Sequence, residues 1–419
     1  TYSPSGVVLQ RFLKQGLELL AEIYEPDFQA IIEVTPQLPD LRQLLTQKTA
    51  LIEWYLPQDA ALGGFAFVVT LKDNRPHIQP HCYTPAERQA LDAFHESYFS
   101  DYHAHTWYQF LNSRIENLAQ LLDLDKLLQL IPPHCDNLIL VPHLYLHLFP
   151  LHSLTGIKAD VSSPLPLQEL FLEGIRYAPS CQMLASLQNR PQPATTGQFF
   201  AVHYPTQDLY YTDVEVEFIR PAFDPNTYIL KKDAASKAAL NRPETLAKLR
   251  ESHFVHFSCH GGFDSANPLN SALILAGDAP PDAQGRRSLT LRDGRRFDTE
   301  LQGLTLREIF ANLELRACGL VILSACESGR ILSQVIDEYI GLASGFLFAG
   351  SPVVVSSLWR VDDFTTAFLA IRFYRELRQK LPVAKALQNA QMWLREVSPE
   401  KFLDWCRDDL KMSPDDLLE

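Results

Sequence analysis

Two side chains in the sequence have the types and the placement that acyl transfer requires. His260 follows the predicted strand HFVHFSC and precedes two glycines, and Cys326 follows the predicted strand GLVILSA and precedes Glu327-Ser328-Gly329. Ligands of open parallel sheets bind at the carboxyl ends of the strands, so we expect the pair to lie close together. A thiol with an ordinary pKa of about 8.5 needs a base, and imidazole titrates near neutrality. The pattern predicts Cys326 as the nucleophile and His260 as the base.

Acyl transfer also needs donors for the oxyanion, and the backbone N–H groups of Gly261 and Cys326 have the chain context to supply them. Taken singly, Cys326 is typical of a buried strand-end cysteine and His260 of a core or loop histidine. Their occurrence at two strand ends favours catalysis. Cys259 is predicted to face the opposite side of its strand from His260, and Cys318 precedes its strand, so both are interpreted as packing residues.

Metal binding is the alternative that the histidine-rich segments suggest. These segments contain His253, His256, Cys259 and His260, and His143, His147 and His152. On a strand, however, the second and fourth of the first group would lie about 13 Å apart, which is too far for one zinc ion. GxGxxG, GxxxxGK[ST], HExxH and GxSxG are absent from the sequence. We therefore expect no metal and no cofactor.

The elements that must position the two side chains alternate between strand and helix. Strand patterns at QFFAVHY, NTYIL, HFVHFSC, CGLVILSAC and PVVVSSLW are separated by helical stretches, which predicts a mostly parallel α/β sheet with helices on both faces. Upstream, ALIEWYL and FAFVVTL form a predicted hairpin, followed by a helical run over 87–130 and the strand NLILVPH. We predict a helical or connecting segment at 1–48, a first α/β lobe at 49–194, a second lobe at 195–400 and a tail at 401–419.

Composition narrows the class of protein. With 46% hydrophobic and 21% charged residues, the 419-residue chain resembles soluble folded domains, and its net charge of −13 argues against direct nucleic-acid binding. The uncharged stretch 339–359 is about as long as a membrane span. Gly350-Ser351-Pro352 interrupts it, however, so we predict a buried helix and strand and no membrane span. Seven cysteines without a CxxC pair indicate a reducing compartment, and we predict a cytoplasmic protein. Because the chain begins at Thr1, we expect it to be a piece of a longer protein.

Four motifs in order closely resemble the CHAT family, the caspase-like domains often attached to tetratricopeptide repeats. They are HFSCHGGFDSANPLNSALILAG, CGLVILSACESG, DEYIGLASGFLFAGSPVVVSSLWRVDD and VAKALQNAQMWLR. Weaker marks in LIEWYL, FAFVVTL, LILVPHLYLHLFPLHSL and RYAPS extend the resemblance to roughly residues 50–400. The sequence departs from many relatives at AVHYP, where they carry a Gly-Asp-Pro turn.

The resemblance implies a caspase-like fold of the clan that includes caspases, metacaspases and separase, with a degenerate, inactive caspase-like lobe before the active one. It also implies that His260 and Cys326 are the catalytic dyad of a cysteine endopeptidase, with the neighbouring amides forming the oxyanion hole. The expected partners are a protein substrate and a tetratricopeptide-repeat or other regulatory region. Two alternatives stay open: a catalytically idle scaffold that binds a protein partner, and a thioesterase or amidase that acts on a small substrate.

Acidic residues near the predicted site suggest a substrate preference. The predicted substrate-binding residues are Asp337, Glu338, Trp359, Asp362 and Asp363. Carboxylates in the pocket for the residue before the cleaved bond (P1) would favour a basic side chain. The equally open alternative is that Asp362 or Asp363 caps the following helix.

The loop between the two dyad strands is rich in arginine. It contains Arg286, Arg287, Arg292, Arg295 and Arg296. A solvated surface loop is the simplest interpretation; the alternative is a mobile segment that gates the site, contacts a regulator or is itself cleaved.

Overall fold

The computed structural model describes residues 41–104, 106–158, 162–187, 190, 196–264, 267–277, 287–291, 294–326 and 341–412. Its strands are β1 (Thr49–Tyr55), β2 (Gly64–Lys72), β3 (Arg75–Tyr83), β4 (Asn137–Val141), β5 (Thr155–Gly156), β6 (Leu165–Pro166), β7 (Gly174–Tyr177), β8 (Phe199–His203), β9 (Thr227–Lys231), β10 (Phe254–Ser258), β11 (Gly261–Gly262), β12 (Ala272–Ile274), β13 (Ser288–Thr290), β14 (Arg296–Asp298), β15 (Gly303–Thr305), β16 (Leu320–Ser324) and β17 (Val354–Ser356).

The α-helices in the described ranges lie between and after these strands. They are α1 (Leu41–Leu44), α2 (Pro85–His103), α3 (Leu111–Leu121), α4 (Leu124–Gln129), α5 (Leu167–Leu170), α6 (Cys181–Leu187), α7 (Tyr210–Ile219), α8 (Lys237–Leu240), α9 (Pro243–Glu251), α10 (Thr299–Gln302), α11 (Leu306–Asn312), α12 (Leu342–Ala349), α13 (Asp363–Arg378), α14 (Val383–Glu396) and α15 (Pro399–Asp404). A π-helical turn, Trp405–Asp409, follows α15.

The first lobe is built on a five-stranded sheet with the order β3-β2-β1-β4-β7. β1 pairs antiparallel with β2, as the predicted hairpin requires, and parallel with β4. Because side chains alternate along a strand, Ile52 and Trp54 enter a core shared with α2, α3 and α4, whereas Leu51 enters a second core with α1 and α6. Both faces of this sheet are therefore covered.

Strand β3 is absent from the sequence-based prediction. It pairs along its whole length with β2 at the edge of the sheet, and most of its residues are exposed or half-buried. Pro76 and Pro80 and the surrounding polar residues remove the alternation of apolar side chains that identifies a strand, and proline is tolerated at a sheet edge. The strand forms because the backbone of β2 provides hydrogen-bonding partners along its whole length.

The second lobe is built on a sheet with the order β17-β16-β10-β8-β9, in which every neighbouring pair is parallel. Phe254 and Leu320 face a core formed with α7, α13 and α14. Val255 and Val321 face the opposite core, formed with α9, α11 and α12. This arrangement confirms the predicted parallel α/β sheet with helices on both faces.

The lobes contact each other through α14, which packs against β7 of the first sheet. Gln388 Nε2 donates to the carbonyl of Phe171 at 3.2 Å, and Arg395 forms an ion pair with Glu169 at 2.9 Å. The predicted boundary near residue 195 lies outside the described residues.

The second lobe continues past residue 400, where the sequence analysis placed its end. Trp405 and Cys406 are buried among the side chains of α13 and α14, and Met412 also belongs to this core. Residues 401–412 are therefore part of the folded lobe and not a tail, because their apolar side chains complete one face of the sheet. No helix in the described part of the chain is long and apolar enough to cross a bilayer.

Candidate active site

The predicted dyad lies at the carboxyl ends of two adjacent parallel strands. β10 and β16 pair from Phe254 opposite Leu320 to Ser258 opposite Ser324. The same offset places His260 opposite Cys326, and neighbouring strands are separated by about 4.8 Å. The ends of the two strands stay close, since a Cβ atom built on Gly261 would lie 2.8 Å from the carbonyl oxygen of Cys326. The structure therefore places the backbones of the two predicted catalytic residues next to each other at the ends of adjacent strands.

The alternation of side chains separates Cys326, the predicted nucleophile, from Cys259 and Ala325. Cys259 is buried in the core on the other face of the sheet, together with Ala325. Burial raises the pKa of Cys259 to about 12 and that of Cys318 to about 11, which suppresses the thiolate in both. Cys326 is half-buried. These positions agree with packing roles for the first two cysteines.

The backbone beside the dyad is held by a small additional sheet. β11, which begins directly after His260, pairs antiparallel with β12, and Ile274 donates its N–H to the carbonyl of His260 at 2.8 Å. The backbones of Gly261 and Cys326 lie next to each other. Two N–H groups that stabilise one oxyanion must be neighbours in this way. Their role in stabilising an oxyanion stays a prediction.

Asp208 is a site residue that the sequence analysis missed. It lies between β8 and α7, and its Oδ2 atom is 2.8 Å from Nε2 of the buried His260. Burial acts to raise the pKa of Asp208, but hydrogen bonds from His260, Thr206 and Arg295 outweigh it and hold the pKa below its ordinary value. Since β8 is adjacent to β10, the strand-end rule applied to the segment after AVHYP points to this residue.

One arginine of the loop between the dyad strands reaches the dyad. Arg295 forms an ion pair with Asp208, and its Nη2 atom lies 3.1 Å from Nε2 of His260. The guanidinium also packs over the ring of Phe297, 5.9 Å from its centroid. Arg287 and Arg296 lie at the β13–β14 hairpin, whereas Arg286 and Arg292 fall outside the described residues.

The segment after β17 runs beside Cys326, the predicted nucleophile. Ser357 Oγ donates to the carbonyl of Ala325 at 2.6 Å, and the thiol of Cys326 donates to the carbonyl of Val361 at 3.4 Å. Trp359, between these two contacts, packs against the core of the first lobe, and its ring centroid is 5.1 Å from that of Trp107. The segment therefore links the nucleophile to the first lobe.

The carboxylates predicted to bind substrate have different positions. Asp337 and Glu338 lie outside the described residues. Asp362 caps α13, because its Oδ1 atom accepts from the N–H groups of the second and third residues after it, as the alternative interpretation predicted. Asp363 accepts from the N–H of Tyr211 at 3.3 Å. The structure thus gives both carboxylates intramolecular partners, and contact of any of these residues with substrate stays a prediction.

One group of potential metal ligands occurs within the described ranges. His203, Asp213 and Glu217 place ligand atoms within 4.8 Å of one another. The ammonium group of Lys231 lies 2.7 Å from Asp213 Oδ1 and 3.0 Å from Glu217 Oε1, and Arg220 is 3.3 Å from Glu217, so protein cations already pair with both carboxylates. These contacts explain the cluster as an ion-pair network.

Comparison with known protein families identifies one match. The CHAT domain family matches residues 113–409, which is more than half of the chain. No curated protein matches the sequence.

Similar solved structures include two crystal structures of the separase–securin complex from Saccharomyces cerevisiae, at 3.0 Å and 2.6 Å. They share 12% identity with this chain, cover 84% and 85% of it, and give TM-scores of 0.51 and 0.52. The chain spans less than a third of the separase chains, 29% and 30%. At this identity the likeness shows the fold alone, which is caspase-like. The family match and the fold together establish that the chain belongs to the CHAT domain family.

Proposed function

We propose that the chain is a cysteine endopeptidase that cleaves a protein substrate through Cys326 and His260. The observation that carries the proposal is the placement of both residues at the same level of adjacent parallel strands, with Asp208 on the imidazole. Membership of the CHAT family supports it.

The contact with Asp208 determines which imidazole nitrogen acts as the base. When Nε2–H donates to the carboxylate, the lone pair resides on Nδ1, which takes the proton from the thiol of Cys326. The thiolate adds to the peptide carbonyl, and the N–H groups of Gly261 and Cys326 stabilise the oxyanion. His260 then returns its proton to the leaving amine. Water hydrolyses the thioester, which releases the acid and restores both side chains.

A catalytically idle scaffold is the second candidate, and the position of Arg295 favours it. A guanidinium 3.1 Å from Nε2 opposes a positive charge on the imidazole and competes for Asp208. In an active enzyme this arginine would have to move when the imidazolium forms. We therefore propose that the arginine-rich loop gates the site and that an attached regulatory region or protein partner controls it.

We also propose a cytoplasmic location and a preference for a basic P1 side chain. The cytoplasmic location rests on cysteine content alone. A basic P1 side chain requires at least one of Asp337, Glu338, Asp362 and Asp363 to face the substrate. A peptide set that varies only P1 among arginine, methionine and aspartate tests this preference, and faster cleavage after aspartate would contradict it.

The experiment that tests the enzyme is peptide-library cleavage by wild type, Cys326→Ala and His260→Ala, with thermal denaturation to verify folding. Cys82→Ser is the matched control, because this cysteine is exposed and lies on edge strand β3. We expect cleavage by wild type and the control, and loss of cleavage in both dyad variants. Unchanged cleavage in either dyad variant contradicts the mechanism. An idle scaffold would cleave nothing even as wild type with its partner present.

A further inference from the structure

A buried carboxylate joins the two dyad strands directly before the reactive residues. Glu215, on α7, is 1% exposed. Its Oε2 atom accepts from Ser258 Oγ at 2.6 Å and from Ser324 Oγ at 2.9 Å. These serines are the last residues of β10 and β16 and pair with each other in the sheet. One oxygen therefore fixes the level at which the two strands end.

The two residues that follow each serine carry the chain to the dyad. Because side chains alternate, Ser258 and His260 share one face, as do Ser324 and Cys326. The pair of serines and the pair of catalytic residues are thus successive rows on the same side of the sheet. A shift of β16 against β10 would break a hydrogen bond to Glu215 and separate the imidazole from the thiol.

The second oxygen of Glu215 lies in an equally buried environment. His256 Nε2 is 2.9 Å from Glu215 Oε1, in a contact that is not aligned as a hydrogen bond, and His256 Nδ1 is 3.2 Å from the hydroxyl of Tyr374 on α13. Both the histidine and the tyrosine are buried. A buried carboxylate is costly without such partners, so the network strongly prefers a single arrangement.

The same carboxylate also holds α7, the helix that directly follows Asp208. α7 begins at Tyr210, two residues after Asp208, and Glu215 lies on its second turn. The bonds from Glu215 to the strand ends therefore fix the position of the helix from which Asp208 approaches His260. We infer that Glu215 is a positioning residue that sets the mutual placement of Asp208, His260 and Cys326. The inference rests on the proposed function of this site.

The test measures the reactivity of the thiol itself, which does not require peptide cleavage. The full chain is treated with iodoacetamide between pH 5 and pH 9, and alkylation of Cys326 is quantified by peptide mass spectrometry. If His260 acts on the thiol, His260→Ala slows alkylation at pH 6. We expect Glu215→Ala to slow it at least about tenfold at pH 6, since misplacement by about 1 Å removes the assistance of the imidazole.

Three further variants separate positioning from general stability. Ser258→Ala combined with Ser324→Ala should slow the alkylation of Cys326 as Glu215→Ala does. Glu215→Gln should retain part of the wild-type alkylation rate, because the amide oxygen still accepts hydrogen bonds. Ile219→Ala is the matched control: this residue is buried on the same helix and belongs to the same core. It should lower the melting temperature without moving the pH profile.

Each outcome decides a different statement. A profile that depends on His260 but not on Glu215 overturns the inference and leaves the proposed function intact. A profile that His260→Ala does not change contradicts the dyad, and the inference fails with it. If Glu215→Ala does not fold, the double serine variant decides alone. Loss of peptide cleavage in Glu215→Ala together with a profile that depends on both residues supports the inference and assigns the defect to activation of the thiol.

Discussion

Among single residues, the proposed mechanism depends on the partner of the imidazole as much as on the thiol. Asp208 contacts Nε2 of His260, and its depressed pKa keeps the carboxylate ionised at neutral pH. An ionised partner fixes the tautomer and favours the imidazolium that forms when Cys326 loses its proton. Asp208 is therefore the residue whose removal tests whether the imidazole must be oriented.

We expect Asp208→Asn to lower kcat for peptide cleavage by at least about tenfold, with little change in KM, because the amide neither stabilises the imidazolium nor enforces the tautomer. Steady-state kinetics on one peptide substrate provide the measurement. Asp224→Asn is the control, since it removes a charge from an exposed turn of the same lobe. Equal kcat values for the two variants would show that Asp208 serves only the loop fold.

At the scale of elements, the register of two strands creates the site. His260 and Cys326 are 66 positions apart in the chain, and the pairing of 254 with 320 has the same offset. The close approach of the strand ends requires glycine at position 261, because a Cβ there would lie 2.8 Å from the Cys326 carbonyl oxygen and 3.1 Å from Ala325 Cβ. The backbone carbonyl has little freedom to move.

We expect Gly261→Ala to reduce the free energy of unfolding by about 1–3 kcal/mol and to abolish most peptide cleavage, since the extra methyl forces the strand ends apart. Gly156→Ala is a matched control in the first lobe, where the added Cβ would lie 2.6 Å from Leu128 Cδ1. Denaturant unfolding and kcat/KM of both variants separate the two effects. Retained kcat/KM in folded Gly261→Ala would show that the separation of the strand ends does not limit catalysis.

Between the two lobes, Trp359 provides a contact that reaches the candidate site, in addition to the packing of α14 on β7. Trp359 lies between Ser357 and Val361, whose side chain and backbone bind Ala325 and Cys326, and its ring packs on Trp107. The position of the nucleophile is therefore coupled to the first lobe through a short segment.

We expect Trp107→Leu to lower kcat/KM for peptide cleavage, although Trp107 belongs to the other lobe, and to cost at least about 1 kcal/mol of stability, because its ring also contacts Tyr98 and Tyr102. Phe110→Leu is the control, because Phe110 lies in the same turn and is 56% exposed. Cleavage kinetics and thermal denaturation give the two readouts. Unchanged kcat/KM in Trp107→Leu would indicate that the lobes act independently.

Four buried or half-buried histidines predict how the stability of the molecule depends on pH. Burial lowers the pKa of His95, His152 and His203 to about 4 and that of His147 to about 3. Below about pH 6.5 the unfolded chain binds protons that these imidazoles do not bind in the folded state, so stability falls as pH decreases from about 6.5 towards 4.

Denaturant unfolding at pH 7.5, 6.5, 5.5 and 5.0 measures this decline. His203→Gln should flatten the dependence, because one proton-linked group is removed. A free energy of unfolding that stays constant between pH 7.5 and pH 5.0 would show that these imidazoles are not held neutral in the folded protein.

The amino-acid sequence alone was enough to predict the parallel α/β architecture and to select His260 and Cys326 as candidate catalytic residues, because apolar periodicity and strand-end residues are local signals. Other features of the fold and the site depend on tertiary contacts, which local signals do not contain. It placed Asp208 and Glu215 at the dyad, paired the proline-containing β3, and buried Trp405 and Cys406 beyond the predicted end of the lobe. Each of these depends on contacts between segments distant in sequence, where the partner and not the residue's own pattern supplies the stabilisation.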